Sequence, residues 1–385
     1  MEKWKIPLYK IYTDEEDIKI VTKILKRGRT WAIGPEIEKF ENAIKDYVGS
    51  KYCITLNSGT SALHAILLAS GIQKNDEVIV PSFSFISTAN SVLFVGATPK
   101  FVDIEEEYFG LNPDLISKSI TKKTKAIMPM DYAGQSCNIF EIRKIAQEHK
   151  IPLIEDAAEG LGSSIKGKQT GSVSDSAIFS FTGNKVITTG EGGAVVTNSQ
   201  KIFEKLKLIR SHGRLDKMNY FENSSISNYT DIGYNWRMPT IIAALGITQL
   251  SKLKKIIKMR QNHAKFFSSK LSKHEEITVP SSKNDHDHIF QMYTIRLKNK
   301  KIRDSLQNFL TEKQIFSKIY FSPIHLTYFY RKKFGTKSGM LPITEKISNQ
   351  VLTLPIYPNM TKEEKYYITD SIDEFFEKIN KNNLV

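Results

Sequence analysis

A chain of 385 residues with 40% apolar side chains can bury a sizeable core, and no run of about 20 apolar residues marks a membrane span. The formal net charge is +14, yet the lysines are spread over 252–270, 298–301 and the C-terminal segment with no clear pattern of stacking aromatics between them. That is the pattern of solvated helix faces, not of a nucleic-acid footprint. Two cysteines, Cys53 and Cys137, without CxxC or Cys/His spacing argue against a disulfide framework and a zinc site, and the charged N-terminus lacks a signal-peptide run. A cytoplasmic enzyme is expected, its basic surface suited to an anionic substrate.

Residues 14–27 read as an amphipathic helix, and Gly34-Pro35 introduces a second over 36–48 that Gly49 ends. Apolar strands at 52–56, 77–80, 99–103, 125–130 and 152–155 then alternate with helices, the clearest at 60–69, 87–94 and 139–149. Strands at 176–180 and 193–197 flank a loop that contains Lys185. Short strands separated by helices predict βαβ units and a mainly parallel sheet with helices on both faces. Residues 215–234 are polar and Asn/Ser-rich, a surface excursion, while 239–259 has a strong helical period. Beyond it, 291–297 alternates like a strand, and 301–312 and 361–378 read as helices. The expected organisation is α/β, with a large domain over 1–250, including an N-terminal arm, and a smaller C-terminal α/β domain over 251–385.

Several motifs carry chemistry. Asn57-Ser58-Gly59-Thr60-Ser61 follows a strand and opens a helix, which brings backbone N–H groups and hydroxyls to a helix N-terminus, a cradle for phosphate. Taken alone, the same residues serve plain helix capping. Phe85 lies beyond the strand at 77–80, where open α/β sheets bind ligands, and can stack on a flat heteroaromatic ring; alone it reads as a core phenylalanine. Asp156 ends the run Pro152-Leu153-Ile154-Glu155, where burial demands a cationic partner such as a pyridinium N–H; helix capping is the plainer alternative. Glu159 stands three residues on, in reach of the same ring. Lys185 lies in a loop with Gly183, Gly190, Gly192 and Gly193, flanked by Phe179, Phe181, Val186 and Ile187, and Ser180 can offer a hydroxyl to the phosphate. A phosphate cradle, a stacking aromatic, a carboxylate for a pyridine nitrogen and an imine-forming lysine, in this order, point to pyridoxal 5′-phosphate.

These motifs resemble the DegT/StrS family of sugar-nucleotide aminotransferases, and the similarity runs from Pro7-Leu8-Tyr9 to Leu354-Pro355-Ile356-Tyr357-Pro358. The resemblance implies a fold-type-I, aspartate aminotransferase-like architecture. It makes Lys185 the lysine that carries the cofactor, Asp156 the partner of the pyridine nitrogen and Phe85 the stacked ring, with Gly59, Thr60 and Ser180 on the phosphate. Asn235, in Gly233-Tyr234-Asn235-Trp236-Arg237-Met238, matches an asparagine that reaches the cofactor phosphate of a neighbouring subunit, which implies a homodimer with active sites at its interface. Glu159 and Gly183-Asn184-Lys185 are most similar to the branch that aminates GDP-4-keto-6-deoxymannose to GDP-perosamine; enzymes of UDP-linked 4-keto-6-deoxy-N-acetylhexosamines share the Gly-Asn-Lys wording. A lysine, not a histidine, at 185 argues against the dehydratase branch.

The expected activity is transfer of an amino group from L-glutamate to C4 of such a nucleotide sugar, for surface polysaccharide or glycan synthesis. Arg29 and Arg237 are candidate cations for the sugar diphosphate, and His325 a candidate on the substrate side. Two other classes compete. A non-catalytic cofactor- or sugar-binding regulator would have lost Lys185 or Asp156, and a nicotinamide-dependent dehydrogenase would carry GxGxxG after the first strand, which Asn57-Ser58-Gly59-Thr60 does not supply.

Overall fold

The structure is a computed structural model that describes residues 4–214, 228–282 and 285–381, without the side chains of the last two. In chain order its first half runs α1 (Glu15–Arg27), α2 (Pro35–Val48), β1 (Tyr52–Leu56), α3 (Gly59–Ala69), β2 (Glu77–Pro81), α4 (Ile86–Phe94), β3 (Thr98–Val102), α5 (Pro113–Ser119), β4 (Thr124–Ile127), α6 (Ile139–Glu148) and β5 (Ile154–Asp156). It continues with β6 (Ser164–Ile165), β7 (Lys168–Gln169), β8 (Ser176–Ser180), β9 (Gly193–Thr197), α7 (Gln200–Arg210), α8 (Thr240–Ser251), α9 (Leu253–Leu271), β10 (Ile277–Thr278), β11 (His286–Asp287) and β12 (Tyr293–Leu297). The C-terminal part adds α10 (Lys300–Glu312), a 3₁₀ turn Ile324–Leu326, α11 (Tyr328–Phe334), α12 (Pro342–Gln350), β13 (Val351–Leu354) and α13 (Lys362–Lys381).

Local chemistry sets the helix ends. Asp14 accepts from Glu16 N while Asp17 reaches back to Asp14 N, a reciprocal cap that starts α1, and Gly28 ends it at φ 69°. Pro35 opens α2, where its missing N–H costs nothing.

The large sheet forms from two pieces, β1-β9-β8-β5 and β3-β2-β4. Parallel bridges Ile127↔Leu153 and Met130↔Asp156 join them into the order β1-β9-β8-β5-β4-β2-β3. Among the described residues only β9 runs antiparallel in this sheet, paired with β1 on one side and β8 on the other. Helices cover it, and buried Leu, Ile, Val and Phe fill both layers. The fold is the mainly parallel α/β architecture of fold-type-I pyridoxal-phosphate enzymes. A second core gathers around the antiparallel sheet β10-β12-β13 under α10 and α13.

Two features cross the expected line between 250 and 251. Ile6, in the N-terminal arm, is buried in the C-terminal core and its backbone pairs with Gln314 and Phe316. Helix α9 gives Leu253, Ile256 and Ile257 to the large core, and Ala264, Phe267 and Leu271 to the C-terminal one.

The single helix expected over 239–259 is instead two, and the second runs on to Leu271. They part at Lys252, whose amine is held by Asp14 at 2.7 Å and Asp17 at 2.6 Å. Helix α7 lies where no helix was expected, although Ile202, Leu206 and Ile209 carry its period. Of the excursion expected at 215–234, residues 215–227 lie outside the described residues.

Candidate active site

The carboxyl ends of the strands and the start of α3 enclose a cavity of ≈ 290 Å³. Gly59, Thr60, Phe85, Asp156, Glu159, Ser180 and Lys185 all line it. Residues far apart in the chain therefore meet where an open α/β sheet places its ligand.

One end of the cavity is built from small polar groups. Ser58 caps α3 by accepting from Ser61 N at 3.0 Å, so Gly59 and Thr60 stand at the helix N-terminus. A Cβ on Gly59 would lie 2.9 Å from Ser180 Cβ, so only glycine lets α3 and the end of β8 approach this closely. Thr60 Oγ1 pairs with Ser87 Oγ at 2.9 Å. Ser61 is not among the lining residues: its hydroxyl turns back to Ser58 at 2.9 Å and serves the cap.

Asp156 closes the other end. It is 3% exposed, and Thr88 Oγ1 donates to its Oδ2 at 2.7 Å while Ala158 N reaches Oδ1 at 3.3 Å. Ser84 Oγ stands 2.6 Å behind Thr88 Oγ1. Burial pushes the Asp156 carboxyl above its usual range, and the donors, with the Lys185 charge, pull it back. Such a site favours an additional cation or N–H donor.

Lys185 Nζ lies 3.2 Å from Glu159 Oε1, and Ala133 N donates to Glu159 Oε2 at 3.0 Å. The lysine side chain is 13% exposed, enclosed but open toward the cavity. Phe85, at the N-cap of α4, is no core residue: 58% of it is exposed beside the same space. A cleft between small residues at a helix N-terminus, an open aromatic face, a buried carboxylate and an enclosed amine fit the phosphate, ring, pyridine nitrogen and aldehyde carbon of pyridoxal 5′-phosphate.

The substrate-side candidates fall elsewhere. Arg29 is exposed at the end of α1, where its carbonyl accepts from Arg27 Nε. Arg237 donates to Ser211 Oγ at 3.1 Å outside the cavity lining, and burial with the neighbouring Arg214 and Arg210 lowers its basicity. Asn235 is exposed, bridged to Ser211, and does not line the cavity of its own chain.

His325 does not fit the substrate role expected of it. Its side chain is fully buried, Nδ1 pairs with Ser82 Oγ at 2.7 Å, and Nε2 faces Glu345 at 3.2 Å. Burial lowers its pKa, with Glu345 opposing, so the histidine ties the segment after β2 to the C-terminal part.

Sequence reasoning missed the residues that the C-terminal part brings: Lys318, Tyr320 and Phe321. Lys185 and Lys318 are the cationic side chains lining the cavity among the described residues. The alternation Ser317-Lys318-Ile319-Tyr320 was a signal, but one without a partner nearby in the chain. Thr88 was also missed, although it falls within the helix expected over 87–94, one turn from Phe85.

Residues 12–373 match the DegT/DnrJ/EryC1/StrS aminotransferase family. GDP-perosamine synthase of Escherichia coli O157:H7 is 34% identical over 371 residues, covering 96% of this chain and 98% of that one. Among solved structures, Helicobacter pylori PseC, an aminotransferase involved in the biosynthesis of pseudoaminic acid, superposes with a TM-score of 0.90 at 30% identity, over 97% of this chain and 99% of its own. DesV of S. venezuelae, solved in complex with a ketimine intermediate, gives 0.87 at 30% identity, over 96% and 98%. Matched across nearly its whole length, the chain belongs to the DegT/DnrJ/EryC1/StrS aminotransferase family, and it is a pyridoxal-phosphate-dependent sugar aminotransferase.

Proposed function

We propose that this enzyme moves the amino group of L-glutamate to C4 of GDP-4-keto-6-deoxymannose, giving GDP-perosamine for a surface polysaccharide such as an O-antigen, in the cytoplasm. The observation that carries the amination chemistry is the meeting of Lys185, Glu159 and Asp156 in one cavity. The choice of sugar leans on the likeness to the E. coli GDP-perosamine synthase and on glutamate at 159.

Pyridoxal phosphate, when bound, supplies an aldehyde that takes the amine and a ring that accepts an electron pair. The chain's residues do the rest. Lys185 Nζ holds the cofactor and, once released, moves a proton to and from the reacting carbon, with Glu159 Oε1 beside it as the amine's partner. Asp156, steadied by Thr88, keeps a proton on the pyridine nitrogen. Gly59, Thr60 and Ser180 bind the phosphate, and Phe85 covers the ring face. Lys318, at the mouth beside Tyr320 with its amine 4.8 Å from the ring centroid, is our candidate for the anionic groups of the substrates. The second subunit of a homodimer contributes Asn235, with Arg237, which shares Ser211 with it, alongside.

Amination of UDP-linked 4-keto-6-deoxy-N-acetylhexosamine is the second reading, because Gly183-Asn184-Lys185 is wording that enzymes of such sugars share. Glutamate-dependent amination of the two keto sugars, assayed side by side, tests both. A much larger kcat/KM for the GDP sugar supports the first reading, and a preference for the UDP sugar replaces it with the second.

A further inference from the structure

We infer that Gln291 is a positioning residue for Lys185, acting through the peptide bond that precedes the lysine. Gln291 is 4% exposed, and its Nε2 donates to Asn184 O at 2.7 Å. That carbonyl belongs to the Asn184–Lys185 peptide, so the bond fixes the direction in which the lysine side chain leaves the loop.

The same short segment also holds the opposite wall. Met292 N donates to Ala133 O at 3.2 Å and Ile289 N to Gly134 O at 3.0 Å. Ala133 N in turn donates to Glu159 Oε2, whose other oxygen faces Lys185 Nζ. Gly134 makes the approach possible: its φ is +93°, and a Cβ there would stand 2.5 Å from Ile289 Cγ1 and 2.8 Å from Gln291 N.

Behind the segment, buried Arg260 of α9 donates from Nη1 to the carbonyls of Phe290 at 3.2 Å, Gln291 at 3.3 Å and Ile356 at 3.3 Å. The amine and its carboxylate partner are therefore both referenced to one strut anchored in α9. A misplacement of about 1 Å costs as much as 10²-fold in rate, which gives such a strut its value.

The inference rests on the reading that Lys185 carries the cofactor, and the test separates the two. Gln291→Met keeps the length and removes the donor. In the apo chain, amide exchange over residues 182–190 is expected to speed up roughly tenfold while the melting temperature moves by only a few degrees. In the loaded enzyme, the pH midpoint of the bound cofactor's absorbance change shifts by about one pH unit or more, and the half-reaction with glutamate slows at least roughly tenfold. KM for the nucleotide sugar stays within about twofold.

A folded variant with unchanged exchange, midpoint and half-reaction rate overturns the inference. Should the methionine variant not fold, Gln291→Asn, which withdraws the amide by one methylene, is read the same way, and an unchanged midpoint and exchange rate again overturn it. Borohydride reduction and peptide mapping of the parent enzyme come first. Label on a lysine other than Lys185 sinks the reading of the lysine, whereas label on Lys185 with an unchanged midpoint in the variant sinks only the role of Gln291.

Discussion

Thr88 Oγ1 donates to Asp156 Oδ2 at 2.7 Å, from the first turn of α4 to the end of β5. Both residues are almost fully buried, and the threonine is the strongest of the groups that favour the charged carboxylate against the burial that raises it. Thr88→Val preserves the shape and removes the donor. Leaving a buried acceptor unpaired costs about 1–3 kcal/mol, so the melting temperature of the apo-protein falls and cofactor retention on dialysis drops. A variant that holds the cofactor as tightly as the parent refutes this coupling.

Asp131 and Glu155 form a second buried carboxyl pair behind the site, their side chains hydrogen-bonded to one another. Burial raises both carboxyls, and for Asp131 the neighbouring Glu155 charge adds to the rise. Above the ordinary values of 3.8 and 4.5 the native state keeps a proton that the unfolded chain has released. Stability therefore falls as pH rises from those values through the raised native ones. Asp131→Asn removes one of the two acids, so thermal denaturation across mildly acid to neutral pH should show a flatter slope and a higher melting temperature at the alkaline end. An unaltered slope contradicts the pairing.

Gly59→Ala tests the phosphate cradle. A Cβ at 59 meets Ser180 Cβ at 2.9 Å, at the place proposed for the phosphate. Affinity for pyridoxal phosphate, followed by fluorescence titration of the apo-protein, should weaken by roughly ten- to a hundredfold, about 1.4–2.8 kcal/mol. Unchanged affinity would place the phosphate elsewhere.

His325→Ala should behave as a core mutation. It opens a space and strips a partner from Ser82 and Glu345, so stability drops by about 2–5 kcal/mol. In whatever fraction folds, KM for the nucleotide sugar should stay near the parent value; a selective rise in that KM with intact stability would restore the substrate role.

Asn235 is exposed and does not line its own cavity, an arrangement that suits service to a second chain. Lys185→Ala and Asn235→Ala should each be inactive or severely impaired alone. Mixed after gentle dissociation, they should recover activity, up to about a quarter of the parental level, because random pairing leaves one intact site in half of the dimers. No recovery in a verified hybrid would refute a site shared between subunits.

Much of the fold was legible because its signals are local. The strands β1, β8 and β9 fall at the residues expected, since each is a short apolar run with alternation or β-branching between polar or glycine-rich turns. Asp156, Glu159, Phe85, Gly59, Ser180 and Lys185 could be grouped from sequence because strand ends in a parallel sheet converge on one edge. Lys318 and Tyr320 reach the same space, and Gln291 the carbonyl before Lys185, through the pairing of β12 with β13 and the course of α9, relations no local period encodes. His325 misled because its motif gives no hint of burial, which comes from Ser82 and Glu345 at distant positions.

The antiparallel return of β9 makes the lysine loop the tip of a hairpin. Phe181 N pairs with Gly192 O, Thr189 N with Phe181 O and Lys185 N with Thr182 O, while Gln291 grips Asn184 from outside. A backbone tethered at so many points cannot travel with its side chain. The amine has to leave and return by torsion about its own four carbon–carbon bonds, like an arm swinging from a fixed shoulder. Lengthening that loop by even one residue would move the shoulder, so the stretch between β8 and β9 should tolerate substitution at its exposed positions far better than insertion.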